Sequence, residues 1–242
     1  MQEQFLNGID ANTVIYRVFP FWRALQLFQT DELALVRPQL WDDPFENLIL
    51  GGVVRTASGD ADMMSIRDGW YGQCWTTTPE SDAMWRIYSG DKTGVRLSTT
   101  VGKLFQAVCP NPDEWTWLKF FVGKVDYQTE QAMADWIATL SLSKLTAGAQ
   151  AYDLAKTLLI KREAFTHERE VRVLFNDVHD TIKGPVAIFP FAGGSLVDDV
   201  MLDPRLDLSM VRTISTAFKS AGYTGTIQQS HLYRSPAVSI PI

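Results

Sequence analysis

Short β-rich runs outnumber helical patterns in this sequence, and the two kinds of segment do not alternate regularly. Regular alternation would predict a doubly wound parallel sheet, whereas this order is typical of an α+β protein. We therefore expect a mixed or largely antiparallel sheet with flanking helices. The predicted strands are Val14–Phe19, Leu33–Arg37, Tyr71–Thr78, Gly94–Thr100, Phe120–Tyr127, Glu168–Phe175, Val186–Phe191, Val197–Leu202 and Tyr223–Gln228.

Capping residues and apolar periodicity predict the helices between these strands. The segment Asp43–Glu46 looks like a helix start, with Asp43 at the cap and Glu46 able to reach back to the cap amide. The other predicted helices run from Pro20 to about Gln29, from Ser81 or Asp82, around Leu104, from about Glu130 to Ala164 with an interruption near Gly148, and from the cap Asp207.

Composition limits the class of protein. The 242 residues contain no repeat or long linker, which predicts a single domain over residues 1–242. A formal net charge of −6 disfavours general nucleic-acid binding, because phosphate backbones repel an acidic chain. The two cysteines form no disulfide framework, and the start of the chain has no apolar core of a signal peptide. No apolar run approaches the roughly 20 residues of a membrane span. We therefore expect a cytoplasmic protein with no membrane partner and no metal site.

The segment from Thr166 to Phe175 carries two carboxylates, Glu168 and Glu170, two positions apart. Side chains on a strand alternate between faces, so these acids and Arg172 are expected on the face opposite Val171 and Val173. Such a pair can stabilise a developing positive charge and orient a nucleophile. The alternative is a solvated face on which Glu170 and Arg172 offset each other.

Arg17 lies in an otherwise apolar predicted strand. A cation there must find an anion or extend to water. Its guanidinium suits a bidentate phosphate contact, which makes it a candidate anchor. The alternative is an ion pair with a nearby carboxylate.

Thr76, Thr77 and Thr78 lie at the end of another predicted strand, where hydroxyls can fix a loop or a ribose. The alternative is that threonine simply favours strands. Trp85 and Tyr88 share one helical face with Met84, which is typical of a core and also allows a stacking wall.

Several segments together resemble a widespread bacterial family of unknown function, and this family implies no activity. They are Ile15–Val18, Trp41–Glu46, Met84–Tyr88, Gly94–Leu97 and Glu168–Arg172.

The order of Arg17, the threonine-rich strand end and Glu168-x-Glu170 also resembles ADP-ribosyltransferases of the arginine-serine-glutamate type, with threonine in place of serine. This resemblance implies a split antiparallel sheet that holds NAD, as substrate, in a central cleft. It implies the following candidate roles: Arg17 with Tyr16 at the NAD phosphate or ribose, Thr76 and Thr77 bracing the cleft, Trp85 or Tyr88 stacking on nicotinamide, Glu170 at the nicotinamide ribose, and Glu168 orienting an unknown protein or nucleic-acid acceptor.

Three hypotheses follow. The first is NAD-dependent ADP-ribosyl transfer or NAD hydrolysis. The second is a non-catalytic interaction or sensor module in bacterial stress or phage defence, which predicts an exposed Glu168-x-Glu170 with no cleft beside it. The third is a nuclease or phosphodiesterase with a metal site, which predicts that Asp42, Glu46 or Asp198 converges with Glu168.

Overall fold

The computed structural model describes residues 4–41, 43–47, 53–56, 59–62, 68–113, 115–139 and 150–236. Three 3-10 turns lie in these ranges: Pro38–Leu40, Pro44–Asn47 and Glu163–Glu168. The strands are β1 (Phe5–Leu6), β2 (Val14–Phe19), β3 (Glu32–Val36), β4 (Val53–Thr56), β5 (Gly59–Asp62), β6 (Trp70–Thr76), β7 (Val95–Thr100), β8 (Phe120–Lys124), β9 (Asp126–Gln128), β10 (Ile160–Arg162), β11 (Glu170–Asn176), β12 (Val186–Pro190), β13 (Asp199–Leu202) and β14 (Thr226–Gln229). The helices are α1 (Phe21–Thr30), α2 (Asp82–Tyr88), α3 (Val101–Val108), α4 (Thr116–Lys119), α5 (Glu130–Thr139), α6 (Gln150–Thr157), α7 (Gly193–Leu196) and α8 (Leu208–Ser220).

Ten of the strands form one sheet, whose main path runs β1-β8-β11-β6-β2-β7-β13-β14. Neighbours along this path are antiparallel, except for the outer pairs β1–β8 and β13–β14, which are parallel. The predicted α+β class with a largely antiparallel sheet is therefore confirmed. Within the described residues, no helix combines the length and the apolar composition needed to cross a membrane.

The sheet splits at one edge of β6. Along its other edge, β6 pairs with β11 over its whole length. At the split edge it meets β2 at the pair Tyr16 and Thr76, and it meets β3 at the pair Val36 and Gly72. β2 and β3 therefore diverge along β6, and β3 continues the sheet into β12. The split sheet that the sequence resemblance implied is present.

Side chains complete the hydrogen bonding where the strands diverge. Arg17 Nη1 donates to the carbonyl of Cys74, and the Gln73 amide donates to the carbonyl of Ala34 at 3.0 Å. Backbone groups within a protein need such partners, because an unpaired polar group away from water is costly. Arg17 is thereby held at the split of the sheet.

The main core covers one face of the sheet. Val171 and Val173 of β11 point into it, together with helices α1, α3 and α8. A second apolar cluster lies on the opposite face, where Leu154 of α6 and Leu158 pack near Trp70 and Leu174. The even-numbered residues of β6 and β11, including Glu170 and Arg172, face this second side because strand side chains alternate.

The main sequence error concerns the residues before β11. The predicted helix to Ala164 is wrong at its end, because α6 stops at Thr157 and is followed by β10 and a 3-10 turn. β10 pairs in parallel with β9, which is a non-local contact that helical propensity cannot report. The predicted interruption near Gly148 lies outside the described residues.

Several predicted strands are shorter than expected, and two of these differences involve Glu170. The predicted strand Phe120–Tyr127 is divided at Val125. The amide of Val125 donates to the carbonyl of Glu170, whereas the amide of Asp126 donates to the carbonyl of Leu159. The strand predicted from Glu168 begins at Glu170. Arg169 before it is in the left-handed region with φ of 43°, so Glu168 belongs to the preceding 3-10 turn.

Candidate functional site

Three neighbouring strands place the predicted site residues at one level of the sheet. Tyr16 of β2 is paired with Thr76 of β6, which is paired in turn with Glu170 of β11. Adjacent strands lie about 4.8 Å apart, so Tyr16 and Glu170 are about 10 Å apart across the sheet. Arg17 follows Tyr16 directly. Segments that are distant in sequence therefore meet where the sheet splits.

Thr76 fixes the chain that enters β11. Its hydroxyl donates to the carbonyl of Glu168 at 2.5 Å and accepts from the amide of Thr78 at 2.9 Å. The amide of Thr77 donates to the carbonyl of Arg169 at 3.0 Å. These bonds tie the threonine-rich strand end to the turn that carries Glu168, so Thr76 sets the position of that turn.

A cavity of about 430 Å³ opens beside this level of the sheet. Ligand sites typically enclose about 300–1,000 Å³, so this volume is sufficient for a small molecule. Six of the eight residues predicted for the site line it: Tyr16, Arg17, Thr76, Tyr88, Glu168 and Glu170.

Thr77 and Trp85 do not line this cavity. Trp85 is buried and donates its indole N–H to Glu80 at 2.8 Å, beside a much smaller cleft. Met84, its neighbour on α2, reaches the main cavity. Of the two aromatic residues predicted to stack on a ligand, only Tyr88 is placed to do so.

Glu170 is 5% exposed and fully engaged by cations. Its Oε1 accepts from Arg172 Nε at 3.0 Å, and its Oε2 accepts from Arg172 Nη2 at 2.8 Å. Lys161 Nζ lies 3.3 Å from the same Oε2. Glu170 and Arg172 do form the ion pair of the alternative interpretation, but its solvated face is contradicted, because both side chains are buried.

Glu168 is held by one cation and one phenol. Lys161 Nζ donates to its Oε2 at 2.6 Å, and the Tyr88 hydroxyl donates to its Oε1 at 2.9 Å. Lys161 therefore bridges the two predicted acids. An ionised carboxylate can accept about four hydrogen bonds, so Glu168, which accepts from Lys161 and Tyr88, keeps capacity for a ligand hydroxyl.

Glu46 is a third acid in this cluster, and its sequence-based role was wrong. Its Oε1 accepts from Arg172 Nη2 at 2.5 Å and from Lys161 Nζ at 2.9 Å. It therefore contributes to a buried charge network, whereas capping was expected to explain it fully. Asp43 does cap its turn, accepting from the amide of Phe45 at 3.1 Å, and it also binds Arg162 at 2.9 Å.

Two residues of the network were missed as site residues, Lys161 and Arg172, and Glu46 was considered only for helix capping or for a metal site. Arg172 is completely buried, and its guanidinium also donates to the carbonyl of Leu158 at 2.6 Å. The sequence signal that could have indicated them is a charged residue within or beside an apolar run. Lys161 follows the run Leu158–Ile160, and a buried charge requires a partner.

The network shifts the pKa values of Glu170, Lys161 and Glu46. Burial raises the pKa of Glu170, but Arg172 and Lys161 outweigh this effect and lower the pKa to about 2. Burial lowers the pKa of Lys161, but the acids around it outweigh burial and hold it above its ordinary range. For Glu46, burial outweighs Arg172 and Lys161, and the pKa is raised. Glu170 and Lys161 consequently stay charged at neutral pH.

Arg17 differs from Arg172 in having no counter-ion among the residues that the structure describes. Among the described residues, no carboxylate lies within 4.0 Å of its guanidinium, and its buried Nε has no hydrogen-bond partner. Burial lowers the pKa of Arg17, with Cys74, Tyr88 and Glu170 opposing. The alternative of a carboxylate pair is therefore not observed, and the guanidinium keeps donors for an anion.

Apolar side chains form walls around these charges. The Trp41 ring lies 4.4 Å from the Arg172 guanidinium, and the Phe165 ring lies 4.7 Å from Lys161 Nζ. Gly72 makes room for this arrangement, because a Cβ there would meet Trp41 at 2.8 Å. Apolar walls with a few convergent polar groups are typical of ligand sites.

The geometry does not favour the metal hypothesis. Asp198 binds Lys103 instead of approaching Glu168, and Asp42 lies outside the described residues. Glu46 does approach Glu168, but Lys161 binds both. Over the part of the chain that the structure describes, no group of three or more His, Cys, Asp or Glu side chains could hold a metal ion.

Residues 84–173 match the model of a family described as protein of unknown function (DUF2971). The resemblance to a family of unknown function is thereby confirmed over these residues, which include α2 and Glu168–Arg172. No curated protein matches the sequence.

Solved structures of DarT from Thermus sp. 2.9 resemble the fold. The complexes with carba-NAD+ and NAD+ share 12% and 14% identity with this chain, cover 92% of it and 97% and 98% of the DarT chain, and give a TM-score of 0.41. The complex with ADP-ribosylated ssDNA shares 12% identity, covers 93% of this chain and 97% of that chain, and gives 0.43. Such TM-scores mark a partial likeness of the backbones, so a function has to be argued from the side chains.

Proposed function

We propose that this protein uses NAD as a substrate for ADP-ribosyl transfer. The observation that carries the proposal is the convergence of Arg17, Thr76 and Glu170 on one cavity, across three neighbouring strands. It brings a cation that has no carboxylate partner among the described residues and a carboxylate that stays ionised at neutral pH about two strand spacings apart. NAD carries the matching pair of charges, a diphosphate and a cationic nicotinamide ring.

Arg17 is the proposed diphosphate anchor. Its guanidinium donates one hydrogen bond to the Cys74 carbonyl, and its other donors face no carboxylate within the described residues. A planar guanidinium suits phosphate oxygens. Tyr16 and Tyr88, which line the same cavity, supply aromatic surface for the nucleotide.

Glu170 is the proposed catalytic carboxylate. In the reaction, the bond between the ribose C1′ and the nicotinamide nitrogen breaks, and its electron pair leaves with nicotinamide, which becomes neutral. Positive charge then develops on the ribose, and a fixed carboxylate stabilises it without reorganising. The low pKa of about 2 keeps Glu170 ionised for this role.

Glu168 is proposed to orient the acceptor. The acceptor oxygen or nitrogen bonds to C1′ and loses a proton, so no oxidant or reductant is needed. Water in that position would give NAD hydrolysis instead of transfer. The acceptor is unknown and could be a protein or a nucleic acid. Because the chain has a net charge of −6, a nucleic-acid acceptor would have to be recognised locally.

The test is nicotinamide release from labelled NAD by the purified protein, alone and with candidate acceptors that include mixed proteins and single-stranded DNA. The choice of DNA follows the ligand named for the DarT complex. Glu170→Gln should lower release by about 100-fold or more, because electrostatic groups of this kind typically contribute that much. Arg17→Met should raise KM for NAD.

Glu163→Gln is the matched control. Glu163 is exposed, lies in the same 3-10 turn as Glu168, and does not line the cavity. Thermal unfolding of each variant separates lost activity from lost folding. The proposal fails if folded wild-type protein neither binds NAD by calorimetry nor releases nicotinamide with any acceptor. It also fails if folded Glu170→Gln is as active as Glu163→Gln.

A further inference from the structure

The charge network contains one more acid than the proposed reaction uses. Three carboxylates, Glu46, Glu168 and Glu170, surround two cations, Lys161 and Arg172. When all five are ionised, the cluster has one net negative charge. Without Glu46, two carboxylates would face two cations, and the cluster would be neutral.

Glu46 lines the same cavity and contacts both cations of the network. Its Oε1 is bound by both Arg172 Nη2 and Lys161 Nζ, at 2.5 and 2.9 Å. These are the same two nitrogens that bind Glu170 Oε2, at 2.8 and 3.3 Å. Glu46 and Glu170 therefore share both cations, and each takes part of their charge.

The turn that carries Glu46 is clamped to β10 at two points. Glu46 binds Lys161, and Asp43 binds Arg162, the next residue of the strand. Arg162 also lies over the Phe45 ring at 4.3 Å. Asp43 lines the cavity as well, but its ion pair is with Arg162, outside the network, so this contact can be loosened separately from the charge of Glu46.

We propose that Glu46 is a positioning residue that sets the charge of the cavity: by binding Lys161 and Arg172 it leaves Glu168 and Glu170 a net negative charge for a cationic ligand group. Without Glu46, the positive charges of Lys161 and Arg172 would neutralise the negative charges of Glu168 and Glu170. This inference rests on the proposed function, because the cationic group is the nicotinamide ring of NAD.

The groups that face Glu46 decide how this charge responds to pH. They are Lys161 of β10 and Arg172 and Glu170 of β11. Lys161 and Arg172 stay protonated because the acids hold their pKa values above the ordinary range. Glu46 has a raised pKa, whereas that of Glu170 is about 2. As pH falls, Glu46 therefore takes up a proton before Glu170 does, and the net negative charge of the cluster is lost while Glu170 is still ionised.

NAD+ and NADH make the matched pair of probes, because they differ at the ring by one positive charge. We expect wild-type protein to bind NAD+ about tenfold more tightly than NADH. The attraction between the net negative charge of the cluster and the positive charge of the nicotinamide ring is worth about one to two kcal/mol, or about tenfold, at the effective dielectric of a protein. Glu46→Gln should bring this ratio close to one. In the wild type the ratio should fall as pH is lowered, and in Glu46→Gln it should not. Calorimetric titration gives the affinities, and nicotinamide release from the same samples corrects for cleaved ligand.

Asp43→Asn is the control, because it loosens the same turn and removes one negative charge from the cavity lining, but leaves the charge of the network of Glu46, Glu168, Glu170, Lys161 and Arg172 unchanged. It should keep the ratio and its pH dependence. The inference is overturned if wild type binds both nucleotides equally, if Glu46→Gln keeps the preference for NAD+, or if Asp43→Asn loses it to the same extent. Failure of wild type to bind either nucleotide would instead count against NAD as the substrate.

Discussion

Replacing Arg172 by methionine should destabilise the protein by about 3–5 kcal/mol at neutral pH, the usual cost of breaking a buried ion pair from one side. Methionine approximates the length of the side chain but removes the guanidinium. The guanidinium is completely buried and donates to three groups: Glu170, Glu46 and the carbonyl of Leu158. Its loss leaves two buried carboxylates with Lys161 as their remaining cation.

The pH dependence of this loss gives a sharper test than its size. In the wild type, the pKa of Glu170 is about 2, below its ordinary value of 4.5. The unfolded chain therefore binds more protons between these values, and the contribution of Glu170 to stability is complete above 4.5 and is lost as pH falls toward 2. Without Arg172, burial dominates and raises the pKa of Glu170, so its contribution is favourable only in acid. The difference between the two proteins should be widest at neutral pH and should shrink as pH is lowered.

Urea unfolding followed by tryptophan fluorescence, near neutral pH and near pH 4, measures both quantities. Arg86→Met is the control, because Arg86 is 64% exposed and paired with Asp82 one helical turn away. Exposed pairs contribute about 0–1 kcal/mol. The reasoning is refuted if Arg172→Met costs no more than this control, or if its cost is the same at both pH values.

Two smaller substitutions test packing and capping. Gly123→Ala should cost about 1–3 kcal/mol in urea unfolding, because the added Cβ would clash with Leu159 and would lie 2.9 Å from Leu6 Cβ; a fully stable variant would show that this part of the sheet can relax. Ser81→Ala should lower the unfolding free energy by about 1 kcal/mol, because Ser81 Oγ accepts from the amide of Met84 at 3.1 Å. Thermal unfolding compares both variants with the wild type. Ser81→Asp should keep most of the stability that Ser81→Ala loses, and an equal loss in both variants would argue against the cap.

Much of the fold follows from signals that lie within a few residues. The predicted strand Val14–Phe19 matches β2 at both ends, because a segment with five β-favouring residues out of six is followed directly by Pro20. The predicted caps Ser81 and Asp207 both accept a backbone amide at the start of their helices. In each case the deciding interaction is local, and a local pattern can therefore report it.

The residues around Lys161 could not be predicted in this way. Ile160, Lys161 and Arg162 become a strand only because β9 lies beside them in parallel. β9 exists in turn because the chain at Val125 changes partners, from β11 to the segment after α6. Helix propensity over residues 150–157 extends smoothly into this segment, and nothing local marks where tertiary pairing takes over.

Two arginines show why the site could not be predicted from the sequence alone. Arg17 in Val14–Phe19 and Arg172 in Glu170–Asn176 have the same local pattern, a lone cation among apolar strand residues. Burial requires a partner for each, but the sequence does not say which partner. One partner of Arg172 is Glu46, which lies in a turn distant in sequence, so the protein itself neutralises this cation. Arg17 lies at the split between β2 and β3 and meets a backbone carbonyl but, among the described residues, no carboxylate within 4.0 Å. The difference between a structural cation and one that can receive an anion therefore depends on which strands diverge, and that is a property of the folded sheet.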